Sequence, residues 1–348
     1  MIRLRDYPRA AMIQLLASWG FSAAHGARLW KYLYREGATD IAAMGELPSR
    51  LLERLVERGR LDLLPVVRES LADHGRTTKY LLGLEDGQRI ETVLMRCRDR
   101  VTACVSSQAG CALGCVFCAT GQMGFGRNLT AGEIVGQVMM VNRQLRLTTL
   151  ARQSTPGVRN VVLMGMGEPL LNYAAVMTAV EILGDSAGLA IAGKRMTLST
   201  VGVVPGIVRL ADERRPCSLA VSLHAATQDE RAALVPAAKT WPLVELMDAC
   251  RYYTAKLSRR VFFEWTLIAG VNDSVEQAGE LARLVQGVPC QINLIPLNRT
   301  QEYGGESCDS ESVARFQSSL REAGLPVTVR RRRGTEIAAG CGQLAGAR

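Results

Sequence analysis

Residues 111–120 read CALGCVFCAT, and the three cysteines of this stretch decide which fold we expect. Cys111, Cys115 and Cys118 follow a C-x3-C-x2-C spacing, which offers three thiolates on one tight loop. A structural zinc ion, like a fully enclosed [4Fe–4S] cluster, requires four protein ligands. Three thiolates would leave one iron of the cluster open to a small molecule such as S-adenosylmethionine. Two alternatives stay open: a zinc site with a fourth ligand elsewhere, and three buried cysteines without chemistry.

The chain around this loop alternates strand-like and helix-like segments. Apolar runs typical of strands occupy residues 101–106, 158–164, 195–200, 218–223, 261–268 and 291–296. Helical patterns occupy residues 131–146, 174–183, 206–213, 243–257, 275–285 and 310–323, and an extended piece follows at 327–332. Such alternation predicts parallel strands joined by right-handed crossovers. Because about six repeats fall short of eight, we expect an α/β fold with a partial, TIM-like (β/α)6 barrel, and the alternative is a doubly wound sheet.

Three units are expected along the chain. Residues 1–75 form a small helical unit, with helical periodicity at 11–19, 27–34 and 51–56. Its basic residues either contact RNA or form a solvated surface; they are Arg28, Lys31, Arg35, Arg50, Arg54, Arg58 and Arg60. Residues 76–100 form a short β connector with strands at 78–82 and 89–95. Residues 101–348 form the barrel and end in a loop that carries Cys341.

The composition limits the classes of protein to consider. Of the 348 residues, 48% are hydrophobic and 22% are charged, as in an ordinary folded protein. The net charge of +9 suits a polyanionic partner such as nucleic acid, although solubility alone also explains it. Ten cysteines without an export signal indicate a reducing compartment, the cytoplasm. No apolar stretch reaches the roughly 18–20 residues that span a bilayer, so we expect a soluble protein without a membrane partner.

Candidate ligand-binding residues directly follow the predicted strands, at the ends where barrels of this class place function. The second strand ends in Gly165-Met166-Gly167-Glu168, where two glycines permit a close backbone approach. Glu168 could accept hydrogen bonds from a ligand ammonium group. Later strand ends carry Ser199, Ser222, His224 and Asn298. Each alone has an ordinary explanation, as a turn glycine, a helix cap or a core histidine, but their shared position favours one site beside the three thiolates.

Six motifs together resemble one known family. They are CVSSQAGCALGCVFCATG, MGMGEPLLN, STVG, SLHA, NLIPLN and AAGCGQLAG. The likeness is to the radical-SAM adenosine RNA methyltransferases of the RlmN and Cfr type, from about Glu91 to the end of the chain and weakly through the helical N-terminus. The sequence GEPLLN at 167–172, where the C8-methylating enzymes read GEALAN, favours methylation at C2 of adenosine. The C8 activity is one alternative, and a non-catalytic zinc-dependent RNA-binding protein is the other.

The resemblance implies the cofactors, their ligands and the partners. Cys111, Cys115 and Cys118 would hold a [4Fe–4S] cluster. The residues implied to bind S-adenosylmethionine are Gly167, Glu168, Ser199, Ser222, Leu223, His224 and Asn298. The implied substrates are an adenosine of 23S rRNA and an adenosine in the anticodon loop of some tRNAs. An electron donor would reduce the cluster, and nothing demands more than a monomer.

Three further residues have catalytic roles implied by the same resemblance. Cys341 would be methylated on its sulfur and then joined through that carbon to C2 of adenine. Cys104 would attack the sulfur of Cys341 and release the product, and Glu91 would take the C2 proton. Gly340 stands where the family pattern has Ala, which we expect only to add flexibility. The arginine run at 330–333 is expected to be either a phosphate-contacting edge or a solvated face.

Overall fold

The structure, a computed structural model, describes residues 1–61, 63–97, 100–149 and 157–346. Its strands are β1 (Ile2–Arg3), β2 (Gly59–Arg60), β3 (Val66–Ala72), β4 (Thr77–Gly83), β5 (Arg89–Cys97), β6 (Arg100–Cys104), β7 (Gln108–Gly110), β8 (Phe125–Asn128), β9 (Asn160–Leu163), β10 (Met196–Thr200), β11 (Ser218–Ser222), β12 (Val261–Leu267), β13 (Cys290–Pro296) and β14 (Val327–Val329). Its α-helices are α1 (Arg9–Ser18), α2 (Ala23–Lys31), α3 (Ser49–Arg58), α4 (Ala119–Gln122), α5 (Ala131–Thr149), α6 (Tyr173–Gly184), α7 (Val204–Asp212), α8 (Gln228–Leu234), α9 (Leu243–Leu257), α10 (Val275–Leu284) and α11 (Ser310–Glu322). Within these ranges no helix is both long and apolar enough to cross a membrane.

One sheet organises the described part of the chain. Ten strands lie in the order β14-β13-β12-β11-β10-β9-β6-β5-β4-β3. Strands β6 and β9 to β14 pair in parallel, whereas β3 to β6 pair antiparallel. The parallel strands follow one another in chain order without a reversal, so the body is a partial barrel and not a doubly wound sheet. The predicted α/β architecture is confirmed.

The N-terminal helices pack against this barrel in one continuous core. Leu4 and Trp30 are fully buried in the same apolar cluster as the barrel strands. The Arg9 guanidinium pairs with Asp185, which follows α6, at 2.8 Å. The predicted periodicity of this unit corresponds to α1, to α2 with the π-helical turn Tyr32–Glu36, and to α3.

Two segments differ from the sequence-based expectation. Strand β3 lies in the stretch expected to be helical and pairs with β4, so the antiparallel part of the sheet begins before residue 76. In β3 only Ala72 is buried, so the strand lacks the apolar alternation that reveals a half-buried strand. The hairpin of β7 and β8 was also missed, because its strands are only three and four residues long and contain glycine.

Helix α5 begins with a capping box. The Thr130 N–H donates to Glu133 Oε2 at 2.9 Å, and the Glu133 N–H donates to Thr130 Oγ1 at 3.2 Å. These two bonds satisfy backbone donors that a helix start leaves free. The cap sets the start of the crossover between β6 and β9, the first crossover after the three-cysteine loop.

Candidate active site

The cluster loop, residues 111–118, leaves the hairpin of β7 and β8 through close backbone contacts. The Cys111 N–H donates to the Gly124 carbonyl at 2.8 Å. Gly110 has a φ of +78°, and a Cβ there would lie 2.0 Å from the Gly124 carbonyl oxygen. Only glycine fits this position, so backbone sterics fix where the loop begins.

The three thiols of the cluster loop are free and lie near one another in an apolar setting. Cys115 and Phe117 belong to an apolar cluster with Val235 and Leu297. Burial raises the pKa of the Cys115 thiol, and burial also raises the pKa of Cys111 to about 11. Such thiols become thiolates when a metal replaces their protons.

This donor set suits an iron–sulfur cluster. A structural zinc ion takes four protein ligands, whereas each thiolate of a cubane binds a different iron. Three free thiols on one loop are therefore suited to hold a [4Fe–4S] cluster with one iron left for a ligand.

A cofactor cavity of about 140 Å³ opens beside Cys115 and Cys118 at the carboxyl ends of the parallel strands. Six of the seven residues predicted to bind S-adenosylmethionine line it: Gly167, Glu168, Ser199, Ser222, His224 and Asn298. Leu223 does not line this cavity, because its side chain is fully buried in the core. Its backbone N–H donates to the Glu264 carbonyl at 3.0 Å.

Glu168 is buried in the wall of the cofactor cavity. Its Oε1 accepts the Leu170 N–H at 3.0 Å and its Oε2 accepts the Val201 N–H at 2.9 Å. Burial raises the pKa of Glu168 to about 7 despite these bonds. A carboxylate has about four acceptor positions, so a ligand ammonium can still bind and would favour the charged form. Gly167 before it has a φ of +97°, and a Cβ there would lie 2.4 Å from Gln108 Cβ.

His224 shapes the cavity next to the cluster loop. Its Nδ1 accepts the Thr266 N–H at 2.9 Å, and its ring meets Phe117 edge-on at 4.7 Å between centroids. Burial lowers the pKa of His224 to about 3, so the ring is neutral. It is suited to pack and orient rather than to exchange protons.

Arg231 on α8 is a site residue that sequence reasoning missed. It is 1% exposed, and its guanidinium donates to the carbonyls of Leu223 at 3.2 Å, Ser222 at 3.3 Å and Val201. Burial lowers its pKa to about 10, which still leaves it charged. Arg231 thus ties together the ends of β10 and β11, which carry Ser199 and Ser222. In the sequence it resembles any charged residue of an exposed helix.

Two buried oxygen atoms without a hydrogen-bond partner among the described residues show that the cofactor cavity is suited to a polar ligand. Glu264 Oε1 accepts from Asn293 at 2.9 Å and from Arg330 at 2.6 Å, but its Oε2 is buried without a partner among the described residues. Asn298 Oδ1 is in the same state, and both residues line the cofactor cavity. An unpaired buried acceptor costs about 1–3 kcal/mol. The hydroxyl and ammonium donors of S-adenosylmethionine fit this need.

A second cavity of about 110 Å³ shares a wall with the first. Cys341 and Arg330 line both cavities, whereas Cys104 lines only the second. We call it the resolving cavity. The structure thus brings together the two thiols predicted for catalysis and places Cys341 between the cofactor cavity and Cys104.

Burial favours the protonated form of both thiols in the resolving cavity. Burial raises the pKa of Cys104 to about 12, and burial also raises the pKa of Cys341. The Arg330 cation acts in the opposite direction on both pKa values, because it favours the thiolates. Cys341 is exposed as a whole residue, but its thiol is enclosed where the residue lines the two cavities.

The structure does not bring Glu91 to either of these cavities. Glu91 lines a third cavity of about 390 Å³. Its Oε1 pairs with Lys79 Nζ at 2.9 Å, and its Oε2 accepts the Ala345 N–H at 2.9 Å. The predicted base is therefore covered by the end of the chain in this conformation.

The terminal loop, residues 334–346, is attached to the cluster region by polar bonds. The Ala119 N–H donates to the Gly342 carbonyl at 2.7 Å, and Asn298 Nδ2 donates to the Cys341 carbonyl at 3.1 Å. A Cβ at Gly340 would lie 2.6 Å from Asn298 Nδ2. Gly340 therefore makes room for the Asn298 amide and does more than add flexibility.

Three arginines of the run at 330–333 bind other groups of the protein through their guanidinium groups. Arg330 pairs with buried Glu264, and Arg333 donates to the Arg96 carbonyl at 3.2 Å. Arg332 is exposed but donates to the Leu297 carbonyl at 3.1 Å. The expectation of a free phosphate-contacting edge or a solvated face is wrong for Arg330 and Arg333, because Arg330 binds Glu264 of the cofactor cavity and Arg333 binds the end of β5.

Comparison with known proteins agrees with this site. The model of the Radical SAM superfamily matches residues 105–282. Dual-specificity RNA methyltransferase RlmN 1 of Myxococcus xanthus is 56% identical, over 98% of this chain and 93% of its own length. A probable dual-specificity RNA methyltransferase RlmN of Chloroflexus aurantiacus is 45% identical, over 99% of this chain and 92% of its own. The crystal structure of a radical SAM methyltransferase from Sphaerobacter thermophilus is 46% identical and superposes with a TM-score of 0.94, with full coverage of both chains.

These similarities settle the class of protein. They confirm the predicted resemblance and the two cofactors, a [4Fe–4S] cluster and S-adenosylmethionine. The alternative of a non-catalytic zinc-dependent protein is wrong, because the relatives are enzymes over nearly their full length. The chain belongs to the RlmN family of RNA methyltransferases within the Radical SAM superfamily.

Proposed function

We propose that this chain methylates C2 of an adenosine in 23S rRNA, and of an adenosine in the anticodon loop of some tRNAs, through S-methylated Cys341. The observation that carries the proposal is the position of Cys341 in the wall between the cofactor cavity and the resolving cavity. A residue there can receive a methyl group on one side and meet Cys104 on the other. The names of the relatives, dual-specificity RNA methyltransferases, support RNA as the substrate.

Cys341 and Cys104 have different roles in the covalent chemistry. When bound, the cluster and S-adenosylmethionine supply the methyl group and the one-electron chemistry. Cys341 carries the methyl carbon as a thioether. The one-electron chemistry would remove one hydrogen atom from this carbon, the carbon would bond to C2 of adenine, and the adduct would then return one electron to the cluster and lose the C2 proton to Glu91. The Cys104 thiolate then attacks the sulfur of Cys341. The sulfur–carbon bond breaks, its electron pair goes to the carbon, the carbon takes a proton, and the two cysteines are left as a disulfide.

Arg330 assists both thiols in this scheme. Each must be a thiolate when it attacks, while burial favours the protonated form. The Arg330 cation lines both cavities and is held by Glu264. Its fixed charge lowers the cost of forming either thiolate.

We propose Glu91 as the base that takes the C2 proton, which requires the terminal loop to move away from it. Its Oε2 must first release the Ala345 N–H, and Lys79 then remains as the partner of its Oε1. The proposal therefore includes movement of the terminal loop when RNA binds. The helical unit of residues 1–75 is proposed to contact the RNA.

The test is an anaerobic assay with a labelled methyl donor and a 23S rRNA fragment. Label at C2 of adenosine in the wild type, and none in Cys341→Ala, supports the proposal. Label at C8 would instead show the alternative activity, and label with Cys341→Ala would exclude the thioether route. The same assay with tRNA tests the second substrate. We propose a monomer in the cytoplasm that takes electrons from a separate donor, in keeping with ten free thiols.

A further inference from the structure

A cavity lined by four arginines lies at the other end of the sheet from the cofactor cavity. Its volume is about 770 Å³. The arginines are Arg35, Arg146, Arg159 and Arg195. No acidic residue is among the described residues that line it. We call it the arginine cavity.

The chain order places this cavity far from the reaction. Arg159 directly precedes β9 and Arg195 directly precedes β10, whereas the cofactor cavity lies at the carboxyl ends of the same strands. Five residues of strand span about 17 Å at roughly 3.3 Å per residue. No residue of the reaction lines the arginine cavity.

No described residue neutralises the charge of this cavity through a carboxylate in its lining. The guanidinium groups of Arg35, Arg159 and Arg195 are exposed and form no hydrogen bond or ion pair with a described residue. Arg146 is the exception, since it donates to the Glu36 carbonyl at 2.9 Å. The carboxyl end of α5 adds only about half a negative charge nearby. Four like charges around one hollow repel one another unless an anion joins them.

The walls of the arginine cavity are fixed and not a loose gap between two units. At Gly188 a Cβ would lie 3.0 Å from Trp30 Nε1 and 3.3 Å from Tyr34 Cβ. The nearby pair of Arg9 and Asp185 also joins the N-terminal unit to the barrel. The N-terminal unit therefore contributes Arg35 to a preformed site.

We propose that the arginine cavity binds backbone phosphates of the RNA substrate, at a distance from the target adenosine. This rests on the proposed function. Arginine forks bind phosphate oxygens in pairs, and each neutralised phosphate releases counterions. A large folded RNA spans from the cofactor cavity to this end of the sheet, whereas a short hairpin seated at the cofactor cavity does not reach it. The cavity thus adds affinity for large RNA without touching the reacting base.

The experiment uses the double variant Arg159→Glu/Arg195→Glu. The control is Arg283→Glu/Arg321→Glu, which reverses two exposed arginines on α10 and α11 outside this cavity. Binding of a long 23S rRNA fragment and of a short hairpin with the target adenosine is measured by fluorescence anisotropy over a range of salt concentrations. Methyl transfer to the hairpin, and the thermal midpoint, are measured for every variant.

The cavity variant should bind the long fragment at least about tenfold more weakly, and its slope of log K against log salt should fall by about 1.5. Its binding and methylation of the hairpin should match the wild type, and the control should bind both RNAs as the wild type does. Equal losses in the cavity variant and the control, or equal losses for both RNAs, would overturn the proposal. If the wild type methylates the hairpin but the cavity variant binds the long fragment with full affinity, this inference alone is overturned. Wild-type protein that neither binds nor methylates RNA overturns the proposed function as well.

Discussion

The cluster loop and the terminal loop both present cysteines to the cofactor cavity, but they are held in different ways. The cluster loop begins at Gly110, where only glycine fits, and its Cys115 lies in an apolar cluster. The terminal loop buries Leu344 in the core, but its segment around Cys341 is attached by separate hydrogen bonds, such as the one from Asn298 Nδ2 to the Cys341 carbonyl at 3.1 Å. Packing resists displacement, whereas separate hydrogen bonds of about 1 kcal/mol each can be exchanged.

This difference corresponds to two tasks. A cofactor must stay in one place, so its ligands lie on a packed loop. Under the proposed function, Cys341 meets the methyl donor, the adenine and Cys104 in turn, which requires its segment of the loop to be released. The hydrogen bond from the Ala345 N–H to Glu91 must also break if Glu91 is the proposed base.

The largest effect on activity is expected from removing the Cys341 thiol of the terminal loop. Cys341→Ala should abolish methyl transfer to RNA, because no other described thiol lines both cavities. The cluster loop is untouched, so the variant should still bind about four irons and cleave S-adenosylmethionine. Iron analysis and product chromatography check both statements. Loss of the iron together with the activity would show that the two loops are not separate in function.

A large effect on cofactor binding is also expected from replacing Arg231, which is buried at the ends of β10 and β11. Arg231→Met leaves three strand-end carbonyls without a donor, at about 1–3 kcal/mol for each buried group. We expect the affinity for S-adenosylmethionine to fall up to about hundredfold, since about 3 kcal/mol corresponds to that factor. Equilibrium binding and thermal unfolding measure it. Arg209→Met, which removes an exposed pair with Glu213, is the matched control and should bind normally.

The pH dependence tests the resolving cavity. Because burial raises the pKa of Cys104 to about 12, the thiolate fraction is small near neutral pH and grows about tenfold for each pH unit below that value. Release of RNA from the covalent adduct should therefore accelerate about tenfold from pH 7 to pH 8 and again to pH 9. Quenched-flow gel analysis of the adduct measures the rate. A rate that is flat over this range would show that Cys104 is already ionised or does not limit release.

The smallest effect is expected at Gly340. Gly340→Ala places a Cβ against the Asn298 amide, which is the end of a flexible side chain and can shift. We expect methyl transfer to fall only a few-fold, consistent with about 1 kcal/mol. Steady-state kinetics measures the change, and Gly304→Ala, which has open space around it, serves as the control. A hundredfold loss would mean that the terminal loop is far more rigid than its bonds suggest.

The sequence alone predicted the structural features that repeat along the chain or follow local rules of secondary structure. The parallel strands and their crossovers were predicted because the periodicity that reveals them is local. Six of the seven residues proposed to bind the cofactor share one cavity, because they directly follow strands. Arg231 and Glu264 were missed because their roles depend on which distant carbonyls and side chains they meet. The cover over Glu91 was missed for the same reason, since no local pattern shows where the terminal loop packs.

The most direct test of the account is mass analysis of the Cys104→Ala variant after anaerobic turnover with RNA. With Cys341 methylated but no thiol in the resolving cavity, the account predicts that protein and RNA accumulate as a covalent adduct through Cys341 and C2 of adenosine. Digestion should yield a peptide of the terminal loop that carries one adenosine and one bridging carbon. Release of free methylated RNA by this variant, at the wild-type rate and without an adduct, would contradict the assignment of the two thiols.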